Sequence, residues 1–302
     1  MMMTRNRMSR KAWAGASAAL SSLAAAVFAN PAFAEAIGQP HPWQMTLQPQ
    51  VTDIGERINS LHNALLVIIT VITLFVLVLL LYVLFRFHEA RNPVPSRTTH
   101  HTFLEIIWTI VPVMILVGIA IPSFSLLRYK LVPPPADIVM KATGSQWLWT
   151  YDYPKDQGGG FTIVSKMLDE KERADLIAKG TSPEDAPRLL AVDNEAVLPV
   201  GKIIKVEVTS TDVIHGFNLP AFGVKVNAIP GRNNEVWFQV DKEGLYYGQC
   251  TQICGDQHSE MPLAFHIVSP ERYAEWLKEA KAKFASNGTS LARLADAGPL
   301  AP

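Results

Sequence analysis

Cys250, Cys254, His258 and Met261 fall within twelve consecutive positions, in the run Gly248-Gln249-Cys250-Thr251-Gln252-Ile253-Cys254-Gly255-Asp256-Gln257-His258-Ser259-Glu260-Met261-Pro262. His215 stands on an earlier stretch, after Thr211-Asp212-Val213-Ile214. Two thiols, two imidazoles and a thioether form a soft donor set that selects copper above harder ions, whereas a closed zinc site takes four strong donors and no methionine. Each residue alone reads more blandly: a CxxxC pair as a disulfide, His215 as a bonded loop histidine, Met261 as a core residue. Their conjunction points to a metal. His266 keeps the pleat alternation of a final strand and is left out of the ligand set.

A mononuclear blue-copper site needs one cysteine, so a second cysteine four residues on calls for another arrangement. Two thiolates can bridge two coppers, each metal taking one imidazole, His215 or His258, and one weak axial donor. Met261 sulfur on one side and a main-chain carbonyl on the other would supply those donors. A pair of this kind shares one unpaired electron and rearranges little on reduction, which suits electron transfer and leaves no open position for a substrate.

The elements that must carry these residues begin in a membrane. The chain has 302 residues, 49% of them hydrophobic, and its 27 basic side chains balance 27 acidic ones, so no nucleic-acid partner is implied. Arg5, Arg7, Arg10 and Lys11, an apolar run over 14–28 and Ala32-Phe33-Ala34 have the order of a secretory signal, assigned to 1–34, with an uncleaved helix as the alternative. An N-terminal arm over 35–60 leads to a transmembrane helix hairpin over 61–130. Its spans, 64–85 and 106–127, are each long enough to cross roughly 30 Å of hydrocarbon. The link between them carries Arg86, Arg91 and Arg97, which marks the cytoplasmic side and places both mature termini in the periplasm of a bacterial inner membrane. Pro112 and Pro122 lie inside the second span, where supporting groups can take up the lost backbone bonds. Glu105 stands at the start of that span, either as a carboxylate favoured by the helix dipole or as a proton-uptake group.

After Leu131-Val132-Pro133-Pro134-Pro135 the pattern changes to short strands broken by turn residues, expected over 137–142, 147–153, 191–199, 203–210, 217–219, 234–240, 244–249 and 264–268. Such a run argues for an all-β sandwich over 131–270. A charged helix over 168–180 reads as part of a helical insertion at about 156–190. A C-terminal helix and tail fill 271–302, with Tyr273, Trp276, Leu277, Ala280 and Phe284 as an apolar stripe.

Thr211-Asp212-Val213-Ile214-His215, Ala228-Ile229-Pro230-Gly231-Arg232 and Gly244-Leu245-Tyr246-Tyr247-Gly248-Gln249-Cys250, continued through the Cys-x3-Cys-x3-His-x2-Met run, resemble cytochrome c oxidase subunit II from about residue 59 to 276. The resemblance implies a two-helix hairpin and a periplasmic cupredoxin-like sandwich holding the binuclear CuA centre. Its ligands would be His215, Cys250, Cys254, His258, Met261 and the carbonyl of Gln252. It also implies electrons passing from cytochrome c to an oxygen-reducing, proton-pumping subunit I, with other oxidase subunits alongside. In Gly144-Ser145-Gln146-Trp147-Leu148-Trp149-Thr150-Tyr151-Asp152-Tyr153 the resemblance makes Trp147 the residue through which electrons enter, and Asp152 and Asp212 docking acids for the cytochrome, with Asp256 and Glu260 near in sequence. Glu105 matches the proton-uptake position. Gln252 replaces the family's usual Glu, whose carboxylate holds magnesium at the subunit I interface, so that ion is in doubt here. A nitrous oxide reductase resembles a larger propeller-bearing chain, a quinol oxidase subunit lacks the copper ligands, and a copper-delivery protein would hold a single labile Cu(I).

Overall fold

The computed structural model describes residues 38–94 and 96–284. The signal sequence expected over 1–34 and the tail expected over 286–302 lie outside them.

Helix α1 spans Asp53–Arg86 and α2 spans Thr102–Leu131. Thr52 starts α1, its hydroxyl accepting from the Gly55 N–H at 2.9 Å, and Asp53, Glu56 and Arg86 complement the helix dipole at the two ends. The most apolar stretches of both helices are unburied and hydropathic enough to cross a membrane. At 1.5 Å per residue α1 is roughly 51 Å long, about 20 Å more than the hydrocarbon it would cross. The surplus enters the β domain: Ile54 and Gly55 are buried. Gly223 makes that approach possible, because a Cβ there would lie 2.8 Å from Gly55 Cα and its φ of +65° suits glycine. Arg57 lies over the Tyr129 ring at 4.5 Å, and Tyr129 meets Trp237 edge-on at 5.3 Å, joining both helices to the sandwich.

Among the described residues ten strands follow: β1 (Ile138–Ser145), β2 (Leu148–Tyr153), β3 (Phe161–Ser165), β4 (Ala196–Pro199), β5 (Ile203–Ser210), β6 (His215–Leu219), β7 (Val224–Ala228), β8 (Asn234–Gln239), β9 (Gly244–Gln249) and β10 (Pro262–Val268). They form a five-stranded sheet in the order β3-β2-β1-β5-β8, a three-stranded sheet β4-β10-β9 and a ribbon β6-β7. Strands β1 and β5 are parallel, as are β4 and β10, and the other pairs are antiparallel. Alternation dictates which faces pack. On β2 the buried positions are Trp149, Tyr151 and Tyr153, and on β5 they are Ile204, Val206, Val208 and Ser210. Trp149 meets Phe217 edge-on at 5.5 Å and Tyr151 meets Phe265 at 5.4 Å. Each such buried side chain contributes on the order of 1.5–3 kcal/mol.

Two strands escaped the sequence pattern. Strand β3 lies inside the stretch expected to be a helical insertion, where Phe161-Thr162-Ile163-Val164-Ser165 alternates and extends the larger sheet beside β2. The triple glycine ahead of it resembles a linker, which masked the short strand. Strand β7, alternating from Val224, closes the ribbon on β6. Within the insertion, α3 spans Glu170–Ala178, started by an Asp169–Glu172 capping box. At the end of the described chain, α4 spans Pro270–Phe284 and lays Trp276 against Tyr153 at 5.3 Å.

Candidate metal centre

The chemistry-bearing residues gather where β6, β9 and β10 begin or end. Cys250 follows the last residue of β9 and Met261 precedes the first of β10, and the Cys250 N–H donates to the Met261 carbonyl at 3.1 Å. The antiparallel pair therefore pins both ends of the loop that carries Cys254 and His258. His215 opens β6, which is stitched to the same loop by Thr251 N–H donating to Gly216 O at 3.2 Å and Gly216 N–H pointing to Cys250 Sγ at 3.3 Å. Residue 216 must be glycine for this closeness, since a Cβ would meet the Thr251 side chain and lie 2.8 Å from Gln252 N.

Inside, Cys250 Sγ and Cys254 Sγ are 3.8 Å apart, and His258 Nδ1 is 3.5 Å from Cys254 Sγ. Ligand atoms of His215, Cys250 and Cys254 lie within 4.8 Å of one another, and all three residues are buried. The Gln252 carbonyl is 3.2 Å from Cys250 Sγ. Met261 is 1% exposed at the start of β10. The two cysteines are free thiols and not a disulfide.

Charge favours a cation here. Burial pushes the Cys250 thiol up, but the His215 imidazole beside it and the main chain at Gly216 and Gln252 outweigh it and hold the thiol at about 6. Burial and then the charge of Cys250 push the Cys254 thiol up to about 12, so two adjacent thiolates need compensating positive charge. His215 Nε2 is 2.8 Å from Asp212 Oδ1, while its Nδ1 is buried with no hydrogen-bond partner. An orphaned imidazole nitrogen beside two thiols fits a soft metal that accepts nitrogen and sulfur.

Asp212 was expected as a docking acid, and its geometry gives it other work. It accepts from Gln146 N–H at 2.7 Å, Val213 N–H at 2.6 Å and Ser210 Oγ at 3.3 Å besides facing His215. Burial raises its carboxyl, and the His215 and main-chain donors more than reverse that, leaving it below the usual range. A carboxylate–imidazole pairing of this kind is the one that orients histidines in metal sites. Sequence reasoning missed it, although the Asp-x-x-His spacing was visible.

Trp147, half-buried in the turn between β1 and β2, rests against Gly255, where a Cβ would come 2.9 Å from Trp147 Cζ2. The fold thus brings Trp147 to the Cys254 side of the centre. Asp152 is not brought there. It sits five residues along from Trp147 on β2, roughly 16 Å at strand rise, and accepts from Thr162 Oγ1 at 2.6 Å. Asp256 is exposed and Glu260 half-buried on the ligand loop itself. Glu105 is remote in the hairpin, where its carboxylate accepts from the His101 N–H at 3.3 Å, a helix-start bond. His266, on β10, pairs with Glu195 at 3.0 Å.

Comparison with known proteins follows the same division of the chain. Residues 138–268 match the family "Cytochrome C oxidase subunit II, periplasmic domain", and residues 40–126 match its transmembrane domain. Cytochrome c oxidase subunit 2 of Cereibacter sphaeroides is 42% identical over 275 residues, covering 88% of this chain and 89% of that one. The probable subunit 2 of Rickettsia bellii (strain RML369-C) is 42% identical over 250 residues, 83% of this chain and 88% of its own. A solved periplasmic domain of cytochrome oxidase subunit II from Bradyrhizobium japonicum is 48% identical, covering 51% of this chain and 99% of that one, with a TM-score of 0.44. With both halves of the molecule matched and 42% identity held over most of its length, the chain belongs to the cytochrome c oxidase subunit II family.

Proposed function

We propose that this chain takes electrons one at a time from a c-type cytochrome at a binuclear copper centre and passes them to a haem-copper subunit I, which reduces oxygen and pumps protons. The observation that carries the reading is the pair of buried sulfurs 3.8 Å apart, with His258 at 3.5 Å from one and His215 within 4.8 Å of both. His215 through its free Nδ1, Cys250, Cys254, His258, Met261 and the Gln252 carbonyl would hold the metals. A copper pair held by these residues would supply one-electron exchange with little rearrangement.

The residues around it do the rest. Asp212 fixes the ring plane of His215 and keeps Nδ1 turned inward. Trp147, seated on Gly255, offers an indole edge at the protein surface beside Cys254 for an electron to enter. Asp256 and Glu260, on the same loop, attract a basic cytochrome, with Asp152 contributing only long-range field. Gln252 is exposed and neutral, so a hard divalent ion finds no carboxylate at that position. Glu105 is assigned to proton uptake at the inner face, and the arm, sandwich and both mature termini to the periplasmic side. The domain limits of the sequence reading, with 1–34 removed as a signal peptide, accompany this assignment.

Copper stoichiometry with electron paramagnetic resonance on the copper-loaded full chain tests the proposal. Two coppers carrying one equally shared spin are expected. One copper with an unshared spin would leave a membrane-anchored copper-binding module instead.

A further inference from the structure

Beside Trp147 in the β1–β2 turn stands one uncharged residue that reaches both ligand-bearing segments. Gln146 donates its main-chain N–H to Asp212 Oδ2 at 2.7 Å and its side-chain Nε2 to the Cys254 carbonyl at 2.8 Å. The first bond reaches 66 residues along the chain to the carboxylate that orients His215, and the second reaches 108 residues to the loop that carries Cys254. A single residue in the β1–β2 turn therefore ties together the supports of both candidate copper ligands.

The same residue shares a seat with the tryptophan. A Cβ on Gly255 would lie 2.9 Å from Trp147 Cζ2 and 3.1 Å from Gln146 Nε2, so both side chains rest on the bare main chain at that glycine. Its φ of +123° also excludes most other residues. The amide is the only part of Gln146 that grips the ligand loop directly, and it does so at the carbonyl next to the glycine supporting the indole.

We infer that Gln146 is a positioning residue for electron acceptance. Its amide holds Trp147 against the Cys254–Gly255 main chain, and its hydrogen bond to the Cys254 carbonyl draws electron density from a ligand-bearing residue, which favours the reduced centre. The electron passes inward without any bond being made or broken and without proton movement. The inference rests on the copper and electron-route reading above, and adds a residue to it.

The test uses the copper-loaded full chain in detergent as wild type, Gln146→Leu, Trp147→Phe and the double variant, each mixed with a reduced c-type cytochrome. Gln146→Leu keeps the side-chain bulk and the main-chain bond to Asp212 while removing the amide. Copper content should stay at the wild-type level while electron acceptance slows by about tenfold, equivalent to about 1.4 kcal/mol of activation free energy. The midpoint potential should move downward and the copper hyperfine pattern should change. In the Trp147→Phe background the same substitution should add little to the slowing, because the two act as one unit. Wild-type rate and potential in Gln146→Leu would overturn the inference. So would a loss of copper in step with the rate, which marks a merely structural role, or fully additive slowing in the double variant. An unchanged rate in Trp147→Phe would sink the electron route and the indole-holding role together, while a shifted potential in Gln146→Leu would still support the bond to the Cys254 carbonyl.

Discussion

The two histidines of the centre are held in opposite ways. His215 is wholly buried on the first residue of a strand, with Asp212 behind it and Trp149 edge-on to its ring at 6.2 Å. His258 sits half-buried on a three-residue helical turn, with Cys254 at 3.5 Å as its ring contact. The His215 side of the candidate site is built into the sandwich core. The other is carried by a loop outside the strands. The contrast teaches that the fold fixes the His215 side of the candidate site through the core and leaves the His258 side to the loop alone.

The largest expected effect separates these sides directly. His215→Ala should cost the metal-free protein about 2–4 kcal/mol, since it opens a cavity and strips a partner from a partly buried carboxylate. His258→Ala should cost no more than about 0.5 kcal/mol there, as surface changes do. Thermal unfolding in detergent with chelator reads both, and equal losses would break the comparison. With copper present, both variants should lose the shared-spin signal.

Next comes Asp212→Asn, which keeps the shape but weakens the grip on His215 Nε2. Copper affinity should fall about 10–100-fold, measured by competition with a chelator. Glu260→Gln on the loop side should leave it nearly unchanged. If the two variants behave alike, Asp212 does not orient the buried histidine.

Gly216→Ala sharpens the point from the backbone side, because its Cβ would push into Thr251 and the Gln252 amide. About 1–3 kcal/mol of destabilisation is expected, together with a wider spacing of the copper signal from wild type. Unchanged stability would mean that the ligand loop yields freely against β6.

A remote pair gives the smallest effect and a control. Glu195 holds the His266 imidazolium, raising its pKa against a smaller opposing effect of burial. Its stabilisation is therefore fully present below the unfolded value of about 6.5 and is lost as pH rises through the raised folded value. The side chains are 45% and 35% exposed, so solvent screening leaves only about a few tenths of a kcal/mol. His266→Asn should flatten that slope in a pH series of unfolding temperatures while leaving copper binding intact.

The ligand loop was legible because its donors are contiguous, and the hairpin because two apolar runs need no partner to be recognised. Most strands were legible from alternation. Strand β3 was not, since three glycines precede it and its hydrogen-bond partner β2 decides its fate. The bonds of Gln146 and Asp212 were also hidden: a glutamine before a tryptophan says nothing about a carbonyl 108 residues away. Chemistry that depends on residue type could be read from the chain, whereas support that depends on loop approach needed coordinates.

The arm ahead of α1 also carries a consequence for the order of biosynthesis. Val51 N–H donates to Ala221 O at 3.1 Å, and Asp241 N–H donates to Val51 O at 3.1 Å. A segment is thus gripped by residues made 170 and 190 positions after it. At 5–20 residues per second the wait from residue 51 to residue 241 is roughly 10–40 s. Until residue 241 has been made the arm lacks one of these two main-chain partners, although both apolar helices that follow it are complete by residue 131, and the sandwich can close fully on it only then.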